Sequence, residues 1–310
     1  MTPAELIQEL NLLLEKKHAE IIQYLLHAYS LGEGEIPSEI EEVSRESMRH
    51  FKWIAQFVVR FGGDPSMSRA PFLPPQKDRQ AMLLADRDLA RENLAAYQQL
   101  QAMSGNERLN QMLDRLIVDE VAHDHFFEKM SSEVLELVDL PMMDNPDISP
   151  EKKAIIQMLN EDAQDEYEAL LKYLHQSFVT TDKVAADVLE DVAIEEMRHL
   201  GHLSEEVIEL GGTPLIEVEE LLLTQDLAEM LRSDISDEET ATSNYAKHID
   251  AIDDPGIKFM LDRIRKEEIH HTVQFKEVLD RISPQVNGEE PPAQSPEKPT
   301  LTVGSLYRQK

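Results

Sequence analysis

Cysteine is absent from the 310 residues, which excludes disulfide scaffolds, thiolate zinc sites, iron–sulfur centres and a built-in rubredoxin-type electron donor. The same absence fits a reducing compartment. Basic residues are scarce, 30 against 61 acidic ones, for a formal net charge of −31. Phosphate binding needs a basic face, so nucleic acid is not an expected partner and cations are the more natural one. No stretch approaches the ~18 uninterrupted apolar residues of a membrane span. The N-terminus, Met1-Thr2-Pro3-Ala4-Glu5-Leu6, lacks the basic and then apolar run of a signal peptide. The expectation is a soluble, cytoplasmic chain. Glycine (11) and proline (16) are also few, and they cluster between long segments.

Those segments carry a helical period. Leu10, Leu13, Leu14, Ile21 and Leu25 recur at three- and four-residue intervals, so one face is apolar. The period returns over Ile40–Phe61, Met82–Met103, Leu109–Leu137, Ala154–Phe178, Ala185–Leu210, Glu219–Ile252 and Ile257–Ile282. No run alternates with period two, and the predicted class is all-α.

The helices fall into two sets of four that align with each other. Tyr24 matches Tyr173, Met48-Arg49-His50 matches Met197-Arg198-His199, and Gly62-Gly63 matches Gly211-Gly212, all 149 residues apart. Met112-Leu113-Asp114-Arg115 then matches Met260-Leu261-Asp262-Arg263 at an offset of 148. The predicted organisation is two tandem four-helix bundles, over 1–140 and 151–282, followed by a flexible tail over 283–310. Pro141, Asn145, Pro146 and Pro150 break the helical pattern between the bundles. Five of the sixteen prolines lie in Pro284–Pro299, a stretch too poor in apolar residues to fold.

The second bundle holds two Glu-x-x-His motifs, Glu196–His199 and Glu268–His271. Three residues is nearly one helical turn, so each carboxylate and imidazole project from one face. The other two helices each add a glutamate among apolar neighbours, Glu166 and Glu238. One Glu from each of two helices and Glu-x-x-His from the other two is a carboxylate di-metal arrangement. Four carboxylates with two neutral imidazoles sum to −4, which two divalent cations neutralise; without cations the acids repel or take up protons. Oxygen and imidazole donors suit Fe(II), Mn(II) or Zn(II).

This half resembles bacterioferritin, a ferritin-like protein with a di-iron ferroxidase site, over nearly all of residues 154–282. Glu196-Met197-Arg198-His199 looks like that family's second helix, and Met230-Leu231-Arg232-Ser233-Asp234 leading into Glu238 like its third. The resemblance implies that Glu196 and Glu268 bridge two irons, with Glu166 and His199 on one and Glu238 and His271 on the other. Tyr173 matches a tyrosine beside the family's site; filling the core is its other reading. The family also binds haem b between two subunits through a methionine just after the second-helix glutamate. Met197 and its counterpart Met48 occupy that position, one in each half, and core filling is the alternative for both.

The first half looks like the same family, yet Lys17, Ser47 and Ala90 stand at three ligand positions, and only His50, Glu120 and His123 remain. This reads as a degenerate site in which an ammonium at Lys17 can pair with Glu120. A single Fe(II) on two histidines and a carboxylate is the sharper alternative, with Glu20, Glu46 and Glu92 near enough in sequence to substitute.

The tail ends in Leu301-Thr302-Val303-Gly304-Ser305-Leu306, which resembles the C-terminal targeting peptide of proteins packaged inside encapsulin nanocompartments. Leu301, Val303 and Ser305 alternate to one face of an extended peptide, and Leu306 adds an apolar anchor. The resemblance therefore implies an encapsulin shell protein as partner, and the chain is also expected to form a homo-oligomer. The leading expectation is a ferroxidase that oxidises Fe(II) with O2 or peroxide and feeds a mineral store. A catalase-like di-iron or di-manganese enzyme and a non-catalytic haem- or iron-binding cargo protein are the alternatives.

Overall fold

The computed structural model describes residues 1–32, 34–134, 148–217, 221, 224 and 226–283. The targeting-peptide residues Leu301, Val303, Ser305 and Leu306, and nearly all of the junction between the bundles, lie outside the described residues. Among the described residues there are eight helices and no strand: α1 (Pro3–Leu31), α2 (Glu35–Arg60), α3 (Arg79–Ser104), α4 (Glu107–Glu133), α5 (Pro150–Val179), α6 (Lys183–Glu209), α7 (Leu227–Ala251) and α8 (Pro255–Ile282). None is long and apolar enough to cross a membrane.

The helix starts follow from local chemistry. Thr2, Asp78, Asn106, Ser149, Asp182, Asp226 and Asp254 each accept a hydrogen bond from a backbone N–H of the turn they open. Each such cap is worth ~1 kcal/mol. The Asp226 cap also corrects one expectation. The apolar period suggested a helix from Glu219, but α7 begins at Leu227, and residues 221, 224 and 226 are not helical.

Sequential helices pair as α1 with α2, α3 with α4, α5 with α6 and α7 with α8, and a long crossover joins the two pairs of each bundle. The Gly-Gly repeat ends α2 and α6 alike. Gly62 and Gly211 take left-handed backbones (φ +83° and +89°), and the next N–H reaches back to Val58 O at 2.9 Å and Val207 O at 2.8 Å. Their successors Gly63 and Gly212 lie so close to Ile7 and Ile156 that a Cβ would approach those side chains within 2.6 and 2.8 Å. Asn11 then clamps the first crossover through Asp64 O and Ser66 N (both 3.0 Å), and Asn160 clamps the second through Thr213 O (3.2 Å) and Leu215 N (2.9 Å). The duplication thus extends to the loops.

The two bundles meet through α1 with α6 and α2 with α5. Ile22 and Leu26 of the first bundle are buried in the apolar cluster of the second, and Phe178 packs against the cluster of the first. At the centre of this seam the Tyr167 hydroxyl donates to His18 Nε2 at 2.6 Å, while His18 Nδ1 faces Ser68 O at 3.1 Å. A carbonyl can only accept, so the proton sits on Nδ1 and the ring is neutral. Burial agrees, pushing the His18 pKa down to about 4. Positions 18 and 167 are equivalent in the repeat, so an approximate two-fold axis passes between them.

Candidate metal centre

Each of the four helices of the second bundle turns an apolar face inward, and the acids at issue interrupt that face. Glu166 on α5, Glu196 and His199 on α6, Glu238 on α7, and Glu268 and His271 on α8 are all at most 3% exposed. They fall into two sets whose donor atoms lie within 4.8 Å of one another: Glu166, Glu196, His199 and Glu268, and Glu196, Glu238, Glu268 and His271. Glu196 and Glu268 belong to both. His199 Nδ1 is 3.0 Å from Glu196, 2.9 Å from Glu268 and 3.3 Å from Glu166. His271 Nδ1 is 3.0 Å from Glu196, 3.4 Å from Glu268 and 3.7 Å from Glu238. The two imidazoles stack with centroids 5.8 Å apart.

The electrostatics are those of a cluster built for cations. Burial, and then the charges of Glu268 and Glu196, push the Glu166 pKa well up. Burial and the adjoining Glu268 carboxylate do the same to Glu238. Burial works against charge on His199, but the Glu166 charge and three carboxylate contacts overcome it and hold that pKa well above the usual range. Buried Glu238 Oε2 has no hydrogen-bond partner, and the close contacts of Glu196 Oε1 with His271 Nδ1 (3.0 Å) and of Glu268 Oε1 with His199 Nδ1 (2.9 Å) are not aligned as hydrogen bonds. Four carboxylates that converge out of water on only two imidazoles fit a pair of divalent cations and are otherwise costly.

The positioning contacts go beyond what the motifs announced. His199 Nε2 meets Glu267 at 2.7 Å and His271 Nε2 meets Glu195 at 2.8 Å. With Nε2–H given to a carboxylate, Nδ1 is the ring nitrogen turned to the centre, where a bound cation would take the place of its proton. Tyr173 does stand at the site, donating to Glu238 Oε1 at 2.6 Å, and Tyr245 donates to Glu166 Oε1. Each tyrosine braces the glutamate of the opposite helix. Glu195, Glu267 and Tyr245 were missed in the sequence, although the signals are there: Glu-Glu precedes both motifs, and a tyrosine follows seven residues after both Glu166 and Glu238.

The first bundle keeps the positioning shell and replaces the middle. His50 Nε2 faces Asp119 at 3.1 Å and His123 Nε2 faces Glu46 at 3.2 Å, the counterparts of the contacts just described. Between them the Lys17 ammonium lies 2.5 Å from Glu120 Oε1 and 2.7 Å from Glu20 Oε1, all three side chains fully buried. Ser47 donates to Glu20 at 2.5 Å, and so does Asn93. Of the acids considered as substitutes, Glu20 is inside but held by Lys17, Glu46 lies outside the histidines, and Glu92 is exposed and plays no part. Met48 and Met197 are half-buried and pack against different apolar clusters, one in each bundle.

A profile of the ferritin-like domain matches residues 7–135 and 156–284, one match in each half. A bacterioferritin of Desulfovibrio desulfuricans is 27% identical over 139 residues, covering 42% of this chain and 77% of that protein. The protein CotJC of Bacillus subtilis is 28% identical over 147 residues, covering 38% and 77% respectively. Among solved structures, one of the Desulfovibrio desulfuricans bacterioferritin and its diiron site superposes with a TM-score of 0.41 at 24% identity, covering 43% of this chain and 81% of that one. A manganese catalase from Anabaena gives 0.36 at 23% identity, covering 53% and 84%.

Proposed function

The chain belongs to the ferritin-like family through both of its halves, and from that premise we propose that it is an oxidoreductase, specifically a ferroxidase working in the second bundle. The observation that carries this reading is the pair of donor sets sharing Glu196 and Glu268. Two Fe(II) held by these residues would each give up one electron, so that the pair could pass two electrons to the oxidant and become two Fe(III). The chain's own part is to hold ligands in place. Glu195 and Glu267 fix the imidazoles, and Tyr173 and Tyr245 fix the outer carboxylates.

On mixing with Fe(II) and O2, the wild-type chain is expected to form Fe(III) well above the buffer rate, and a Glu196→Ala/Glu268→Ala variant at the buffer rate. Equal rates for the two proteins would refute the proposal. The donor set suits manganese as well as iron, and disproportionation of peroxide needs no thiolate-bound electron donor, which a chain without cysteine lacks. Oxygen release from peroxide in place of Fe(II) oxidation would favour that second reading.

We further propose that the chain is packaged as cargo in a cytoplasmic encapsulin shell through residues 301–306, so that the mineral store is the lumen of the shell. The tail carries Lys298, Arg308 and Lys310 and no acid over its last thirteen residues, against the sign of the rest of the chain. Deleting residues 300–310 is expected to abolish co-purification with a co-expressed shell protein, and unchanged loading counts against the assignment.

A further inference from the structure

The two bundles act as controls for each other. In the second, a cavity of about 390 Å³ lies between α5 and α7. Exposed Asp165 and Asp237 line it at the surface, and buried Glu166, Glu238 and Glu268 line it at depth. Glu238 Oε2, buried at the inner end, has no hydrogen-bond partner. Two alanines, Ala169 and Ala241, form part of the wall between these ends.

Their counterparts in the first bundle are Glu20, 149 residues earlier, and Asn93, 148 earlier. Those side chains bond to each other, and they are 0% and 1% exposed. The same place is filled and sealed. The rim differs as well: where the second bundle has Asp165, Glu168 and Asp237, the first has Lys16, Ala19 and Leu89. The half that keeps its donor set thus keeps an open, acid-rimmed wall, and the half with an internal ammonium has neither.

We propose that the opening between α5 and α7 is the passage by which divalent cations reach the buried carboxylates. Ala169 and Ala241 set its bore, while Asp165, Glu168 and Asp237 gather cations at its mouth. The proposal rests on the di-metal reading of the centre. Lys172 at the rim is paired with Asp234 at 2.8 Å and with Asp237, which balances its charge and spends part of that of Asp237, so Asp165 and Glu168 carry most of the attraction at the mouth.

The test is the rate and stoichiometry of Co(II) uptake by the metal-free full chain, followed by cobalt absorption without any oxidant. In Asp165→Asn/Glu168→Gln/Asp237→Asn, uptake at low salt is expected to be roughly tenfold slower and to depend less steeply on salt, with unchanged stoichiometry. In Ala169→Leu/Ala241→Leu the fast phase of uptake is expected to disappear while the equilibrium stoichiometry stays. The rim variant alters only surface groups, so it decides the matter even if the filled variant does not fold. A rim variant that loads at the wild-type rate with the wild-type salt dependence overturns the passage alone. A wild-type chain that takes up no Co(II) overturns the di-metal reading, and the passage with it.

Discussion

Lys17→Met is expected to destabilise the chain by about 3–5 kcal/mol at pH 8, the cost of breaking a buried ion pair by removing one partner. The Lys17 ammonium is fully buried between Glu20 and Glu120, and its Nζ also lies 5.5 Å from the centre of the Tyr97 ring. Methionine keeps the length of the side chain and removes the charge, so two buried carboxylates are left facing each other. In the wild type, burial pushes Glu120 up, but the Lys17 charge prevails and holds it below the usual carboxylate range. Burial and the Glu120 charge push Glu20 above that range. Without Lys17 both carboxylates rise above their unfolded values. Such groups lose stability as pH rises past the unfolded value, so the deficit of the variant grows from pH 5 to pH 8. Denaturant midpoints across that range measure it, and adding Glu20→Gln should recover part of the loss. A Lys17→Met chain within about 1 kcal/mol of wild type at pH 8 would show that the pair carries little of the stability of the first bundle.

Glu268→Ala is expected to abolish the rise in melting temperature that divalent metal gives the wild-type chain. Glu268 belongs to both donor sets, so neither keeps its full complement. A ligand present at a thousandfold excess over its Kd stabilises by about 4 kcal/mol per site, and that term vanishes with the site. The metal-free comparison sets two effects against each other. Glu268 raises its carboxylate neighbours Glu166 and Glu238, and its removal relieves that repulsion. It also pairs with His199 at 2.9 Å and His271 at 3.4 Å, contacts that hold its own pKa low and are lost with it, so the test is the metal-induced shift within each chain. Melting curves with and without Mn(II), together with metal analysis, decide it. A variant that keeps both the wild-type shift and the wild-type metal content would place the metal outside these two donor sets and reopen the first bundle as a metal site.

Most of the architecture was legible because the repeat is dense in signals that have one physical meaning. Gly62 and Gly211 end helices, and Glu-x-x-His falls on one face wherever a helix forms, whereas the Asn11 and Asn160 clamps on the crossovers came to light only in the structure. The apolar residues around 221–223 carried a helical period as well, but periodicity cannot see that the Asp226 side chain caps the helix behind them. Glu92 was misjudged by phase. It follows Ala90 by two residues, about 200° around the helix, and so faces water, whereas Asn93 returns inward. Glu195 and Glu267 escaped for a different reason. They are 35% and 38% exposed and read as solvated acids until α6 and α8 pack side by side and each reaches the histidine of the other helix.

The contact between Tyr167 and His18 has a consequence for assembly. When two copies of one chain meet across a two-fold axis, each position near the axis faces its own twin, so histidine must face histidine and tyrosine must face tyrosine. A donor opposite an acceptor at equivalent positions is open only to halves that are covalently joined and free to differ. The seam through α1, α2, α5 and α6 is therefore spent within a single chain, and a larger assembly of this protein has to be built from its other faces.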